Sequence, residues 1–249
     1  PRTTRIWERG APLSEAAVLL EGNKEDVSVG GYHTHTPGYE RTIVYQGLTF
    51  YTNRLFLQTK KGLVQLDKQD SAELSIWKDR VFIELREDWE VDGTLYKSGS
   101  LLTAPLKKWL KGKKKITVLF EPSATTSLSY YTTTKDHVIL MTLEDVKTKV
   151  SILTPSKKEW STSTLPGLPD LGRLRVTPVD STESNDYWLT VRDYITPDTL
   201  HMGTVGEKSP DLLKSLPSFF DAEGLQVTQH FTQSKDGTRI PYFQIAHKD

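Results

Sequence analysis

Short runs of β-forming residues, separated by turn residues, dominate this chain and constrain its fold more than any other feature. Val, Ile, Thr, Tyr, Phe and Trp fill the runs, and these residue types suit a pleated, half-buried surface. Asp92-Gly93 and Asp236-Gly237 lie between alternating runs, where Asp-Gly predicts a hairpin because glycine adopts the turn's positive φ without strain. Because long helical periodicity is scarce, we predict an all-β fold, with strands near residues 42–45, 54–59, 81–86, 94–97 and 116–120.

The strand runs fall into sets that begin near Val27, Val81, Ser127 and Arg173. Their spacing, on the order of 45–55 residues, is the range expected for one four-stranded propeller blade. No WD dipeptide or kelch signature accompanies the sets. The pattern predicts a partial β-propeller of about four, or five, four-stranded antiparallel blades, and a β-sandwich is the alternative.

Two segments interrupt the strand pattern. "APLKKWLKGKKK" predicts a short helical turn or a basic loop. "SPDLLKSLPSFFDAEG" has a helix-start signal at Ser209-Pro210-Asp211, an apolar face and a stop at Pro217. The apolar face would consist of Leu212, Leu213 and Leu216. We therefore predict a short connector helix between the last blade and a terminal hairpin.

Composition excludes several classes of protein. The 32 basic side chains equal the 32 acidic ones, which argues against a dedicated nucleic-acid binder. No apolar run approaches the roughly 18 residues of a membrane span. The absence of cysteine excludes disulfides, thiolate metal sites and a Cys nucleophile, and it fits the cytoplasm and the periplasm equally. The chain starts without Met or a signal peptide, so we expect that it is cut from a longer protein.

Catalytic motifs are missing from the sequence. No Gly-x-Ser-x-Gly elbow and no Gly-rich phosphate loop occurs, and the six histidines define no triad by spacing. We therefore predict no catalytic residue and no cofactor. His33 and His35 in "GGYHTHTPG" would share one face of a strand and could share a metal. No third ligand is evident nearby, so a polar strand end is favoured and no metal site is predicted.

Two further clusters have a functional and a structural interpretation. "LKKWLKGKKK" places six lysines around Trp109, a pattern that could bind phosphate or single-stranded nucleic acid. A solvated loop with Trp109 tucked into a blade is favoured. The pairs Glu87-Asp88 and Glu144-Asp145 are adjacent, so on strands their side chains point to opposite faces and form no glycosidase-like pair locally. A carboxylate pair from distant strands would still allow a propeller glycosidase.

The closing segment "HFTQSKDGTRIPYFQIAHKD" resembles the entry to the peptidase domain of the prolyl oligopeptidase family of serine peptidases (S9-type). The family's "S.DGT.IPY" pattern is matched by Ser234, Asp236, Gly237, Thr238, Ile240, Pro241 and Tyr242. Upstream, "WEVDGTLYKSGSLL" and "LFEPSATTSL" are similar to propeller segments of bacterial members.

The resemblance implies a seven-bladed propeller joined to an α/β-hydrolase domain, of which this chain is a fragment. Residues 1–216 would be the later blades, and residues 217–249 the connector and first hairpin of a missing peptidase domain. The family's Ser, Asp and His would lie outside the chain, so the fragment alone would be non-catalytic. The parent would cleave short peptides, often after proline, and the propeller would admit thin peptides and exclude folded proteins. The substrate-binding residues are unassigned.

A partial propeller leaves open strand edges, which invite association. We therefore predict self-association, or closure of a smaller ring in which the "TTRIWERG" strand pairs with the last blade and supplies its outer strand. Two other functions stay open from the residues. One is a stand-alone propeller or sandwich that scaffolds a partner, and the other is a propeller glycosidase with carboxylates in its channel.

Overall fold

The computed structural model describes residues 2–157 and 159–248, and the chain forms two compact units, Pro1–Pro122 and Ser123–Asp249. Nearly all of the regular structure is antiparallel β-sheet, which confirms the predicted all-β class. The described helices are a 3-10 turn at Leu13–Glu15 and the four-residue helix α1, Leu106–Trp109. None in the described part of the chain has the length and apolar character needed to cross a membrane.

The first unit contains two four-stranded sheets and two small hairpins. A two-stranded sheet comes first, with β1 (Thr3–Ile6) antiparallel to β2 (Ala17–Glu21). Sheet A then consists of consecutive strands β3 (Ser28–Thr34), β4 (Arg41–Gly47), β5 (Asn53–Thr59) and β6 (Gly62–Gln65). Every connection in sheet A joins neighbouring antiparallel strands, as in a meander.

Sheet B follows the same order with one insertion. After β7 (Glu73–Trp77) and β8 (Arg80–Glu84), the hairpin β9 (Trp89–Val91) and β10 (Thr94–Tyr96) leaves the sheet, which resumes with β11 (Leu101–Pro105) and β12 (Thr117–Phe120). The predicted turn at Asp92-Gly93 is confirmed, since the two residues have φ of +50° and +77°.

The core of the first unit lies where sheets A and B face each other. Alternate residues of the strands point into it, and Trp109 of α1 is only 3% exposed among them. The buried members include Ile43, Leu57, Leu74, Val81, Ile83 and Leu102. Burying such side chains stabilises by roughly 1.5–3 kcal/mol each, which explains the period-two alternation seen in the sequence.

The second unit repeats the plan. Sheet C consists of β13 (Thr126–Thr133), β14 (Val138–Glu144), β15 (Lys147–Pro155) and β16 (Trp160–Thr164). Sheet D consists of β17 (Arg173–Pro178), β18 (Asp186–Arg192), β19 (Thr199–Thr204) and β20 (Asp211–Ser215). A long terminal hairpin, β21 (Leu225–Gln233) with β22 (Arg239–His247), closes the chain.

Sheets C and D share one apolar core. Ile139, Met141 and Ile152 of sheet C meet Val176 and Leu189 of sheet D, and each is at most 3% exposed. The two sheets are also joined by a hydrogen bond, because the hydroxyl of Tyr130 donates to the carbonyl of Val176. The two sheets therefore form one packed body.

The predicted strand sets correspond to the four sheets. The sheets begin at Ser28, Glu73, Thr126 and Arg173, so three of the four predicted starts are correct within one residue. The second sheet begins earlier than Val81, because β7, with the sequence "ELSIW", was not recognised as its first strand. The five individual strands predicted above all coincide with observed strands within two residues.

The predicted connector helix is wrong. Residues Asp211–Ser215 form strand β20 on the open edge of β19, with Met202 opposite Asp211 and Thr199 opposite Ser215. A helix this short is marginal on its own and needs a surface on which to bury its apolar face. Leu212, Leu213 and Leu216 are instead 58%, 47% and 50% exposed, so these side chains are not packed against an apolar surface. The free backbone groups of β19 outweigh the local helix-start signal.

The predicted pairing of the first strand with the last blade is also wrong. Strand β1 pairs with β2, with Thr3 opposite Glu21 and Ile6 opposite Ala17. The outer position of sheet D, for which the sequence predicted no strand of the last blade itself, is filled by β20. The local partner is favoured because it closes a short loop at little entropic cost.

Candidate functional site

The turn of the terminal hairpin is a self-contained hydrogen-bond network. The Asp236 carboxylate accepts hydrogen bonds from the Ser234 hydroxyl and, at 3.0 Å, from the Thr238 amide. The Gly237 amide donates to the Ser234 carbonyl at 3.0 Å, and Gly237 has a φ of +85°. These donors, the Ser234 hydroxyl foremost, lower the pKa of Asp236 from 3.8 to about 2. The "S.DGT" part of the motif therefore specifies the turn itself.

The hairpin is fastened to the turn between β14 and β15. Arg239 forms an ion pair with Asp145, with Nη1 and Oδ1 3.0 Å apart, and its guanidinium lies over the ring of Phe231. The Gln229 side-chain amide donates to the Asp145 carbonyl at 2.6 Å. Asp145 and Val146 have φ of +46° and +62°, so the tight turn directs both the carboxylate and the carbonyl of Asp145 toward the hairpin. We call these contacts the hairpin clamp.

A cavity of about 450 Å³ lies beside the hairpin clamp, within the second unit. Phe243 of the hairpin and Tyr194, which follows β18, form its aromatic side, with ring centroids 5.3 Å apart. Lys147, Arg173 and Arg192 bring three positive charges to the lining. We call it the hairpin pocket.

His33 and His35 do meet, as the sequence predicted for residues two apart on a strand. Their ring centroids are 4.8 Å apart, and Nδ1 of His33 is 2.9 Å from the Thr42 hydroxyl. Among the described residues no group of three or more His, Cys, Asp or Glu could hold a metal ion. Both side chains are exposed at the end of β3, which fits the polar strand end favoured above.

The basic segment around Trp109 is part of the first unit's structure. Trp109 is buried against Trp89, with ring centroids 6.2 Å apart. The Lys114 ammonium lies 4.9 Å and 5.6 Å from the two ring centroids and pairs with Asp67 at 2.5 Å. Because Lys114 is committed to these contacts, the structure supports the tucked-tryptophan interpretation.

The adjacent carboxylates also have structural partners. Glu87 accepts a hydrogen bond from the Ser71 hydroxyl, and Asp88 accepts one from the Ser98 amide at 2.8 Å. Asp145 belongs to the hairpin clamp. Three of these four carboxylates, those of Glu87, Asp88 and Asp145, therefore have a structural partner.

A cross-strand carboxylate pair was not found from the sequence. Glu73 and Glu84 are opposite each other on β7 and β8. Burial raises the pKa of Glu84, while Glu73 accepts hydrogen bonds from Arg86 at 3.2 Å and from Asn53 at 3.1 Å. Glu73 is therefore tied into the surface network of sheets A and B.

The hairpin clamp and the hairpin pocket were likewise missed by the sequence analysis. Arg239 and Asp145 are 94 residues apart, and no local pattern links them. The one usable signal was the DG turn, which identified the hairpin but not the surface that receives it.

Comparison with known proteins gives consistent relatives. The chain is 31% identical over 257 residues to the uncharacterized peptidase y4nA of Sinorhizobium fredii, a match to 99% of the chain and 35% of the relative. It superimposes on a post-proline cleaving enzyme from Rickettsia typhi with a TM-score of 0.81 and 27% identity, over 97% of the chain and 36% of that enzyme.

Prolyl oligopeptidase B from Galerina marginata shares the fold, with a TM-score of 0.70 and 16% identity over 97% of the chain and 34% of that protein. No family model matches the sequence. The chain thus spans about a third of the length of the relatives that it matches, and the four-stranded sheets correspond to propeller blades.

Proposed function

We infer that this chain belongs to the prolyl oligopeptidase family of serine peptidases and forms a large part of its β-propeller. We further propose that it is the substrate-gating part of a peptidase that cleaves short peptides, often after proline. On its own the chain is non-catalytic, since no Ser, His and Asp in it match the family's catalytic motif. Residues 1–216 are propeller blades, and residues 217–249 lead into the peptidase domain.

One observation carries the proposal. The chain, with its four consecutive four-stranded antiparallel sheets and its terminal hairpin, superimposes on the post-proline cleaving enzyme of Rickettsia typhi over 97% of its length. A peptidase relative at 31% identity covers the same extent of the chain. These matches favour a peptidase component over a scaffold module or a propeller glycosidase.

Gating follows from the geometry of a propeller blade. One edge strand of each blade lines the central channel and the other lies at the outer rim. In the second unit, the fourth strands β16 and β20 are exposed along most of their length, as outer strands would be, so we assign the first strands of the same sheets, β13 and β17, to the channel side. A channel bounded by rigid sheets admits an extended peptide and rejects a folded protein, which selects substrates by size.

The chemistry itself would take place in the peptidase domain, where a serine attacks the peptide carbonyl with a histidine as general base. The terminal hairpin is consistent with blades that select substrates and a separate domain that cleaves them. Its turn is closed by its own residues, and the hairpin clamp fastens its turn end to sheet C. The hairpin is thereby held against sheet C after the chain leaves the blades.

Two proteins test the proposal: the 249-residue chain and the full-length product of the reading frame that encodes it. Each is assayed against a chromogenic Gly-Pro anilide and against proline-containing peptides of increasing length. We expect no hydrolysis by the chain, hydrolysis of the anilide and short peptides by the full-length protein, and a steep loss of rate for folded proteins that contain the same bond.

Two controls sharpen the comparison. A full-length variant in which alanine replaces the serine of a Gly-x-Ser-x-Gly elbow should be inactive. Hydrolysis by the 249-residue chain, or equal rates on short peptides and folded proteins by the full-length protein, would refute the proposed role. A reading frame with no such elbow would remove the peptidase assignment altogether.

A further inference from the structure

We propose that the hairpin pocket binds a carboxylate carried on an apolar group, such as the C-terminal residue of a short peptide. The choice of a peptide end as natural ligand rests on the proposed function. The recognition of an apolar carboxylate rests only on the residues that line the pocket.

Like charges face each other at the pocket. Arg173, the first residue of β17, is directly opposite Arg192, the last residue of β18, in the antiparallel ladder. Directly opposed like charges destabilise a sheet unless a counter-charge lies near them. The backbones of Gly172 and Arg192 also lie close together, because a Cβ on Gly172 would be 2.8 Å from the Arg192 carbonyl oxygen. The geometry thus brings two guanidinium groups to one opening.

The acidic groups around the pocket leave much of this charge uncompensated. Arg192 pairs with Asp198 at 2.7 Å. Asp193 also lines the pocket, but its two carboxylate oxygens accept hydrogen bonds from the Tyr194 amide and the Thr196 hydroxyl. Both donors are neutral, so Asp193 keeps its negative charge, but its two oxygens are held in its own loop, and no ion pair between it and a pocket cation is found among the described residues.

The two remaining acidic groups do not neutralise the pocket either. Asp145 pairs with Arg239 in the hairpin clamp. Glu144 is opposite Lys147 in the ladder, but the charged groups of the two residues form no ion pair. Within residues 2–157 and 159–248, neither Lys147 nor Arg173 has an ion-pair partner, and both line the pocket. Both are therefore open to an incoming carboxylate.

Part of the pocket lining is apolar. Tyr194 and Phe243 present their rings there, with Leu143, Val146 and Leu174 beside them. A volume of about 450 Å³ accommodates one amino-acid side chain and its carboxylate. Arginine forms two parallel hydrogen bonds with a carboxylate, and aromatic walls favour a bulky apolar side chain over a bare anion. The pocket therefore selects for both properties together.

The test uses the 249-residue chain and two matched probes, N-acetyl-L-phenylalanine and its uncharged C-terminal amide. Binding is followed at low ionic strength by amide chemical-shift changes in the ¹⁵N-labelled chain. We expect shifts at Gly172, Arg173, Tyr194 and Phe243. Because hydrogen bonds to charged groups contribute about 1.5–3 kcal/mol, the amide should bind at least about tenfold more weakly. Acetate should bind more weakly than N-acetyl-phenylalanine.

Arg173→Gln should weaken carboxylate binding to the level of the amide probe. Arg175→Gln is the matched control, because Arg175 is exposed on the same face of β17 but does not line the pocket. If Arg173→Gln does not fold, Lys147→Gln provides the same comparison. Arg173→Lys should restore part of the affinity, since the charge returns without the planar fork.

The proposal is overturned by equal binding of the two probes, by equal binding of acetate, or by shifts outside the pocket. It is also overturned if Arg175→Gln weakens binding as much as Arg173→Gln. None of these results bears on peptide hydrolysis by the full-length protein. Conversely, an inactive full-length protein would leave the binding data intact, so the two proposals fail separately.

Discussion

Breaking the ion pair between Arg239 and Asp145 should loosen the terminal hairpin without unfolding the sheets behind it. The two side chains are 48% and 29% exposed, and Nη1 and Oδ1 are 3.0 Å apart. Pairs this accessible contribute about 0.2–1 kcal/mol. Because Arg239 also lies over the Phe231 ring, its removal loses a further ~0.5–1 kcal/mol of cation–π energy.

The substitutions have to respect the backbone at Asp145, whose φ is +46°. Alanine would add strain there, whereas asparagine tolerates the left-handed region, so Asp145→Asn removes the charge alone. The bond from the Gln229 side chain to the Asp145 carbonyl is kept. Arg239→Met preserves the apolar stem. We expect the free energy of local opening of the hairpin to fall by about 0.5–1 kcal/mol for Asp145→Asn and by about 1–2 kcal/mol for Arg239→Met.

Hydrogen exchange of the β21 and β22 amides measures this local opening directly. A double-mutant cycle should give a coupling of about 0.5–1 kcal/mol, a two- to fivefold change in exchange rate. The coupling should shrink in 0.5 M salt, because the pair is accessible. Lys97→Met, which removes an exposed pair with Glu121 in the other unit, is the control and should leave hairpin exchange unchanged. A coupling below ~0.3 kcal/mol, or one that salt does not reduce, would refute the clamp.

Three further predictions concern single residues. The pKa of Asp236 is lower in the folded hairpin than its ordinary value of 3.8, so its stabilisation of the turn is complete above pH 3.8 and is lost as the pH falls through about 2. The NMR shifts of the turn should follow this transition, and Asp236→Asn should abolish it. Gly203→Ala should lower the free energy of unfolding by about 1–3 kcal/mol in urea titrations, because a Cβ would lie 2.5 Å from the buried Tyr187 hydroxyl; Tyr187→Phe should restore part of the loss. Lys114→Met should lower the midpoint of thermal unfolding, because about 0.5–2 kcal/mol of cation–π energy with two indole rings is lost. Tryptophan fluorescence measures this midpoint, and Lys113→Met, at an exposed position, should leave it unchanged.

Much of the fold could be predicted because its signals are local. Alternation with period two marks the strands, and the Asp-Gly pairs at residues 92–93 and 236–237 mark hairpins, so the sheets were predicted near their observed positions. The segment from Ser209 to Leu216 was wrongly predicted to be a helix, because its local signal is a helix start. What determines its structure is the free edge of β19, which the sequence alone does not reveal.

The candidate site was less predictable, because its residues come from distant parts of the chain. Arg173 and Arg192 belong to adjacent strands, and their opposition depends on a register that only the folded sheet defines. Tyr194 comes from the loop between β18 and β19, and Phe243 comes from the hairpin. Each of these four residues is unremarkable in its own segment, and the chemistry arises from their meeting.

The terminal hairpin contains both a local signal, which the sequence reveals, and a contact between distant residues, which it does not. The residues that produce the family resemblance, Ser234, Asp236 and Thr238, bond to one another, so any chain with this motif can form the turn. Arg239 occupies a variable position inside the motif, yet it helps to fix where the hairpin lies through its ion pair with Asp145. Variants of the motif should therefore change whether the hairpin forms, and variants of the clamp should change how firmly it is attached to sheet C. If a domain that follows is oriented through this hairpin, only the second class should alter its angle to the blades while leaving the turn intact.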